Sequence, residues 1–136
     1  MKTVLFVCSG NTCRSPMAQA MFNRYATQNG ISARADSAGI ATVSGLPATQ
    51  NAVDAVKELG IDISSHLSQP VTKALLDSAD IIVCMSKSHQ HALKAYGYDS
   101  VVLGDGINDP YGLSLEEYKL CRDEIERAMS SVVKLL

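Results

Sequence analysis

Strands that alternate with helices along a single chain of 136 residues predict an α/β fold. The expected form is a single-domain three-layer sandwich, with a central four-stranded parallel sheet and helices on both faces. Three observations carry this reading. Val4-Leu5-Phe6-Val7 and Ile81-Ile82-Val83-Cys84-Met85 are continuous apolar runs, as expected of strands buried on both faces. The stretches between them carry apolar residues at helical spacing. A chain of this length hides roughly two-thirds of the surface it exposes when unfolded, which suffices for one core and not two. Residues 1–136 are therefore read as one domain, with no repeat, linker or low-complexity segment.

In chain order, the first strand covers residues 4–7. Met17, Ala18, Met21, Phe22 and Tyr25 then form a helical stripe. Ser15 is read as its N-cap, Pro16 suits its first position and Gly30 suits its stop. Residues 31–37 are read as a second strand. Ala52, Val53, Val56 and Leu59 form a helix ending at Gly60, and residues 71–76 a short helix. The strand at 81–85 precedes a helix across His89, Leu93 and Tyr96. His89 and His91 are read as solvent-facing residues on different faces of that helix. A strand at 101–103 follows. The last helix starts from a capping-box pair, Ser114 and Glu117, and carries one stripe of Tyr118, Cys121, Ile125, Ala128, Met129 and Val132.

Composition excludes several classes. Hydrophobic residues make up 46% and charged ones 19%, so the chain is not a disordered one. Twelve Lys plus Arg against fourteen Asp plus Glu leave a net charge of −2, with no basic excess to draw it onto nucleic acid or an anionic membrane. No apolar run approaches the ~20 residues of a membrane helix, and the start reads as a strand and not a signal peptide. Cys8, Cys13, Cys84 and Cys121 are expected as reduced thiols in a cytoplasm. No two of them have finger spacing, so no metal is expected.

In a doubly wound fold, ligands sit outside the carboxyl ends of the strands. Two loops there carry chemistry: residues 8–15 and 104–112. The first reads Cys8-Ser9-Gly10-Asn11-Thr12-Cys13-Arg14-Ser15-Pro16 and joins a strand directly to a helix. Successive amides in so tight a turn form an anion nest, and the helix start adds its positive dipole end. Arg14 adds a planar fork of donors suited to phosphate. Gly10 is expected to supply a positive φ or a close backbone approach. The field that attracts phosphate also favours thiolate over thiol at the mouth of the nest, where Cys8 is placed for in-line attack. Ser15 can donate its hydroxyl to that sulfur.

These residues resemble the low-molecular-weight protein tyrosine phosphatases. The family opens with an apolar strand, then Cys, five residues and Arg-Ser-Pro, and carries a late Asp-Pro followed by an aromatic residue. Here these are residues 4–16 and Asp109-Pro110-Tyr111. The resemblance extends through Asp36-Ser37-Ala38-Gly39 and the strand from Ala79-Asp80 to Met85. It implies that Cys8 is the nucleophile that becomes phosphorylated and that Arg14 clamps the phosphoryl oxygens. It implies that Asp109 is general acid and then base. Ser9, Gly10, Asn11, Thr12, Cys13 and Ser15 would form the phosphate-binding loop, with Tyr111 at its mouth. Asn11, Ser37 and His66 match residues that hold the loop by hydrogen bonds. No cofactor is implied. The implied partners are phosphorylated proteins and a phosphate ion in the loop, acted on by a monomer. Cys13, five residues from Cys8, is expected to capture an oxidised Cys8 as a disulfide.

Position 12 bears on the substrate. The tyrosine-specific branch generally has an aliphatic residue there, whereas Cys-x-Gly-Asn-Thr-Cys-Arg-Ser-Pro-Met-Ala looks like the protein-arginine phosphatase branch. The Thr12 hydroxyl suits the N–H groups of a guanidinium and leaves nothing for a phenol ring. Ile40-Ala41-Thr42-Val43 offers no aromatic where the tyrosine branch tends to place one, and Gly112 follows Tyr111. Some arginine-branch members carry an aromatic near residue 41, where this chain has Ala41. Phosphoarginine is therefore the favoured substrate and phosphotyrosine the alternative. Arsenate reductases share a similar Cys-Arg loop but need two further closely spaced cysteines; Cys84 stands alone, with His91 where a partner would lie. A non-enzymatic phosphate-binding module would not need the thiol.

Overall fold

A computed structural model describes residues 1–136. Strand β1 (Lys2–Cys8) is followed by helix α1 (Arg14–Gln28), β2 (Ala33–Gly39), α2 (Gln50–Lys57) and α3 (Lys73–Ser78). Then come β3 (Ile81–Cys84), α4 (Lys87–Ala95), β4 (Val101–Val102) and α5 (Leu115–Val133). The four strands form one sheet in the order β2-β1-β3-β4. All pairs are parallel, with Cys8 opposite Gly39 and Val7 opposite Cys84. Parallel strands place every carboxyl end on one edge, so the loops after β1, β2, β3 and β4 meet there.

β1 is central, and residues 4–8 are all buried, which is why its sequence is continuously apolar. Its alternating side chains feed two cores. Val4 and Phe6 face α1, α2 and α5, where Met17, Phe22, Val56, Ile125 and Met129 close the larger core. Phe6 meets Phe22 edge to face, with ring centroids 6.0 Å apart. Leu5 and Val7 face the shorter α3 and α4, against Leu76, Ile82 and Leu93.

Several boundaries differ from the expected ones. Helix α1 begins at Arg14 behind Cys13, so Ser15 is not the N-cap but lies inside the first turn. Its hydroxyl is taken by the loop instead. β2 starts and ends two residues later than its apolar pattern suggests, because pairing with all of β1 carries it to Gly39. Helix α3 starts at Lys73, where the Thr72 hydroxyl accepts the Leu75 amide. α5 begins as expected, with the Ser114 hydroxyl accepting from the Glu117 amide. Gly30 and Gly60 adopt φ of 63° and 77° just past helix ends, the left-handed geometry that lets a chain leave a helix. No helix is long and apolar enough to cross a membrane.

Candidate active site

The loop between β1 and α1 spans residues 9–13 and must reverse the chain in five steps. The left-handed residue that makes this possible is Asn11, with φ of 57°, and not Gly10. Asparagine tolerates that conformation when its side chain finds local partners, and here every polar group of Asn11 is used. Its Nδ2 donates to Ser15 Oγ at 2.8 Å and to Ser37 Oγ at 2.9 Å. Its Oδ1 accepts the Gln69 amide at 2.9 Å, and its carbonyl lies 2.8 Å from His66 Nε2. Gly10 has a different role. It lines the cavity between Cys8 and Arg14, and a Cβ there would meet only Thr12 Oγ1, at 3.5 Å.

The amides of Gly10, Thr12, Cys13 and Arg14 make no backbone hydrogen bond, whereas that of Asn11 donates to Cys8 Sγ at 3.2 Å. Ser15 Oγ is 2.8 Å from the same sulfur. Because Ser15 accepts from Asn11, its own proton is free to point at Cys8. Ser37 accepts from Asn11 and donates to Gln19 Oε1. The sulfur thus sits at the end of a chain of donors that runs from Asn11 through Ser15. The backbone crowds behind it: a Cβ on Gly39 would lie 2.6 Å from the Ser9 carbonyl oxygen and 3.1 Å from the Asn11 amide.

Arg14 is 6% exposed and its guanidinium bridges to the second loop. Nη1 donates to the Ile107 carbonyl at 2.9 Å, and Nη2 lies 3.6 Å from Asp109 Oδ2. The Ile107 amide is fastened to the Met85 carbonyl at 2.7 Å, which fixes this loop to the end of β3. Asp109 remains half exposed, with Oδ1 accepting the Tyr111 amide at 3.1 Å. A small cavity of ≈ 210 Å³ lies between Cys8, Arg14, Asp109 and Tyr111. It opens into a shallower one of ≈ 780 Å³, walled by Thr12, Ile40, Ala41, Val43, Leu46 and Tyr111. The residues singled out in the sequence thus come together, with Ser37 and His66 behind the loop.

The cysteines divide. Cys84 lies in β3, fully buried; burial pushes its thiol up, and it donates to Ser100. Burial pushes the Cys121 thiol up to about 12. Cys13 lines the cavity, and its Sγ lies 3.3 Å from Tyr118 Oη and 3.6 Å from Thr49 Oγ1. All four are free thiols. Tyr118 is itself held at about 12, by burial first and then by its bond to Cys13.

Sequence reasoning missed several contributors. Gln69 and Tyr118 reach the loop directly, and Gln19 reaches it only through Ser37, from residues with no motif of their own. His89 is not solvent-facing: it is 5% exposed, and its ring bonds to Ser9 in the loop. His91 is exposed, as expected. Serine three residues before His89, at the start of a helix, was the available signal, since an N-cap draws the third residue's amide toward it.

A nest of unpartnered amides with a thiol at its base, at the carboxyl edge of a parallel sheet, is suited to holding a phosphoryl group in front of a nucleophile. The chain belongs to the low molecular weight phosphotyrosine protein phosphatase family, whose model matches residues 3–136. It is 35% identical to a protein-arginine-phosphatase of Bacillus subtilis, over 98% of this chain and 95% of that one. It is 36% identical to the probable low molecular weight protein-tyrosine-phosphatase EpsP of Ralstonia nicotianae, over 98% and 94%. An arsenate reductase of Staphylococcus haemolyticus is 32% identical over 96% and 95%. Among solved structures, a low molecular weight protein tyrosine phosphatase of T. tengcongensis superposes with a TM-score of 0.92 at 36% identity, covering 100% of both chains. The YwlE arginine phosphatase, in a mutant whose active-site serine is phosphorylated, does so with 0.90 at 36% identity, covering 97% and 93%. The chain is accordingly a hydrolase of the low-molecular-weight phosphatase type.

Proposed function

We propose that this enzyme dephosphorylates protein side chains through a phosphocysteine on Cys8 and prefers phosphoarginine. In the first step the Cys8 thiolate attacks phosphorus in line. A sulfur–phosphorus bond forms while the bond to the leaving nitrogen breaks, and Asp109 gives that nitrogen its proton. In the second step Asp109 takes a proton from water, whose oxygen attacks phosphorus. The sulfur–phosphorus bond breaks, phosphate leaves and the thiolate returns, with Ser15 Oγ–H bonded to it. Arg14 and the loop amides carry the charge on the phosphoryl oxygens in both transition states.

The observation behind the arginine preference is Thr12. Thr12 lines the cavity wall, and the only hydrogen bond of its hydroxyl is a long one, 3.8 Å to Cys13 Sγ. It remains available to an N–H of the substrate. The wall opposite, Ile40, Ala41, Thr42 and Val43, supplies no ring to stack on a phenol. The Bacillus arginine phosphatase relative supports the same reading. An unused hydroxyl there costs ~1–2 kcal/mol, a factor of roughly five to thirty in rate ratio. The test is kcat/KM on phosphoarginine and phosphotyrosine peptides for the wild type and Thr12→Ile. The wild type is expected to favour phosphoarginine, and Thr12→Ile to move the ratio toward phosphotyrosine. A wild-type ratio favouring phosphotyrosine and unmoved by the substitution leaves a tyrosine phosphatase, the reading that the exposed Tyr111 ring at the mouth favours. Arsenate reduction is disfavoured by the burial of Cys84 and Cys121, neither of which is at the cavity.

A further inference from the structure

His89 is a buried titratable side chain, outside the residues discussed above for catalysis, that reaches the phosphate loop. His89 stands in the first turn of α4, and both of its ring nitrogens are engaged. Nε2 lies 2.8 Å from Ser9 Oγ, and Nδ1 lies 2.8 Å from the hydroxyl of Ser86, the N-cap of the same helix. Either neutral tautomer closes this chain, because each hydroxyl can donate or accept. Burial, and then the charge of Arg14, disfavour the protonated ring, with Asp109 acting weakly in the other sense.

Resting on the phosphatase reading, we propose that His89 is a positioning residue for the phosphate loop, acting through Ser9. The reason lies in Gly10. It has no side chain and its amide has no backbone partner, so the peptide plane between Ser9 and Gly10 is held only from the Ser9 side, where the carbonyl is bonded to the Ala41 amide. If that plane turned over, a carbonyl oxygen would face the phosphoryl group in place of an N–H. Its orientation then depends on the anchors of the flanking residues. On one side Asn11 is fixed through its carbonyl by His66 and through its side chain by Ser15, Ser37 and Gln69. On the other, the Ser9 carbonyl accepts the Ala41 amide at 2.9 Å, and the Ser9 side chain is held by His89 alone. Two imidazoles from distant segments thus grip the loop at the residues flanking Gly10. Because Ser86 also caps α4, the grip refers the loop to a helix start rooted at the end of β3.

The two ring bonds can be separated by substitution. His89→Gln carries an amide to roughly the place of Nε2 and can still reach Ser9. His89→Asn ends near Nδ1 and reaches only Ser86. The measurements are kcat and KM on an aryl phosphate and the inhibition constant of inorganic phosphate. His89→Asn and Ser9→Ala should each lower kcat/KM and weaken phosphate inhibition, by about tenfold. His89→Gln should recover most of both, and the Ser9→Ala/His89→Asn double variant should lose no more than either single one. Equal behaviour of Gln and Asn at position 89, or losses that multiply in the double variant, would overturn the proposal. Ser9 is exposed, so Ser9→Ala serves even where a position-89 variant does not fold. An unchanged phosphate inhibition constant in Ser9→Ala also overturns it. Absence of any Cys8-dependent turnover in the wild type would instead remove the phosphatase reading, and calorimetric phosphate binding by the same variants would still decide the role of His89.

Discussion

Cys8 is distinguished from the other three thiols by its surroundings and not by its burial. It is 2% exposed, much like Cys84 and Cys121, yet only Cys8 accepts a backbone amide, that of Asn11 in the turn of the loop. Replacing it tests the mechanism directly. Cys8→Ser should lose turnover, because a serine hydroxyl is not ionised near neutral pH and leaves poorly from phosphorus. It should retain the nest, and mass spectrometry should find covalent phosphate on Ser in place of Cys8 when substrate is added; full residual turnover would remove Cys8 from the chemistry. Asp109→Asn should slow poor leaving groups by about 10²–10⁴-fold and good ones far less; equal losses for both would make Asp109 structural. His89 adds a pH dependence. Burial lowers its pKa from the usual 6.5, so below that pH the unfolded chain takes up the proton before the folded one does. Stability is therefore full above about pH 6.5 and falls as the pH drops toward the lowered value. Urea denaturation at stepped pH should show this fall, and His89→Gln should flatten it.

Among the elements, α5 was the most legible and also holds the least expected contacts. Its stripe and its Ser114 cap are local features, set by residues three and four apart. Arg122 is not part of that pattern. It is 8% exposed and donates to the Ala55 carbonyl at 2.7 Å, near the carboxyl end of α2, and to Glu58 Oε1 at 2.7 Å. It therefore satisfies a carbonyl that the end of α2 would otherwise leave open. Arg122→Leu should destabilise the fold by about 1–3 kcal/mol, measured by denaturant titration. Aryl phosphate turnover per folded molecule should be unaffected, since α2 and α5 touch the loop through Thr49 and Tyr118 and not through Arg122. A drop in kcat without a drop in stability would contradict this division. The shift of the α1 start from Pro16 to Arg14 has the same lesson: a good capping residue was diverted to Cys8 by a contact that helical rules do not describe.

The whole molecule assembles the nest from four separate pieces: the loop after β1, the end of β2, residues 66–69 and the loop after β4. An anion bound there should consequently stabilise the entire domain. At about 100 times its dissociation constant, orthovanadate should add about 2.7 kcal/mol and raise Tm, and Arg14→Ala should lose most of that rise. An undiminished rise in Arg14→Ala would place the anion elsewhere. Taken by itself, the sequence determined what depends on near neighbours. The apolar runs of β1 and β3, the helical stripes and the Cys8-to-Arg14 spacing between a strand and a helix were all readable, because each is a matter of periodicity or short-range chain geometry. Only the tertiary structure decided what depends on distant partners. His89 reaches Ser9 across 80 positions, Gln69 reaches Asn11 across 58 and Tyr118 reaches Cys13 across 105. The left-handed turn fell to Asn11 and not Gly10 for the same reason. Partners gathered by the assembled fold offset the strain of an asparagine at positive φ, and no local pattern records them.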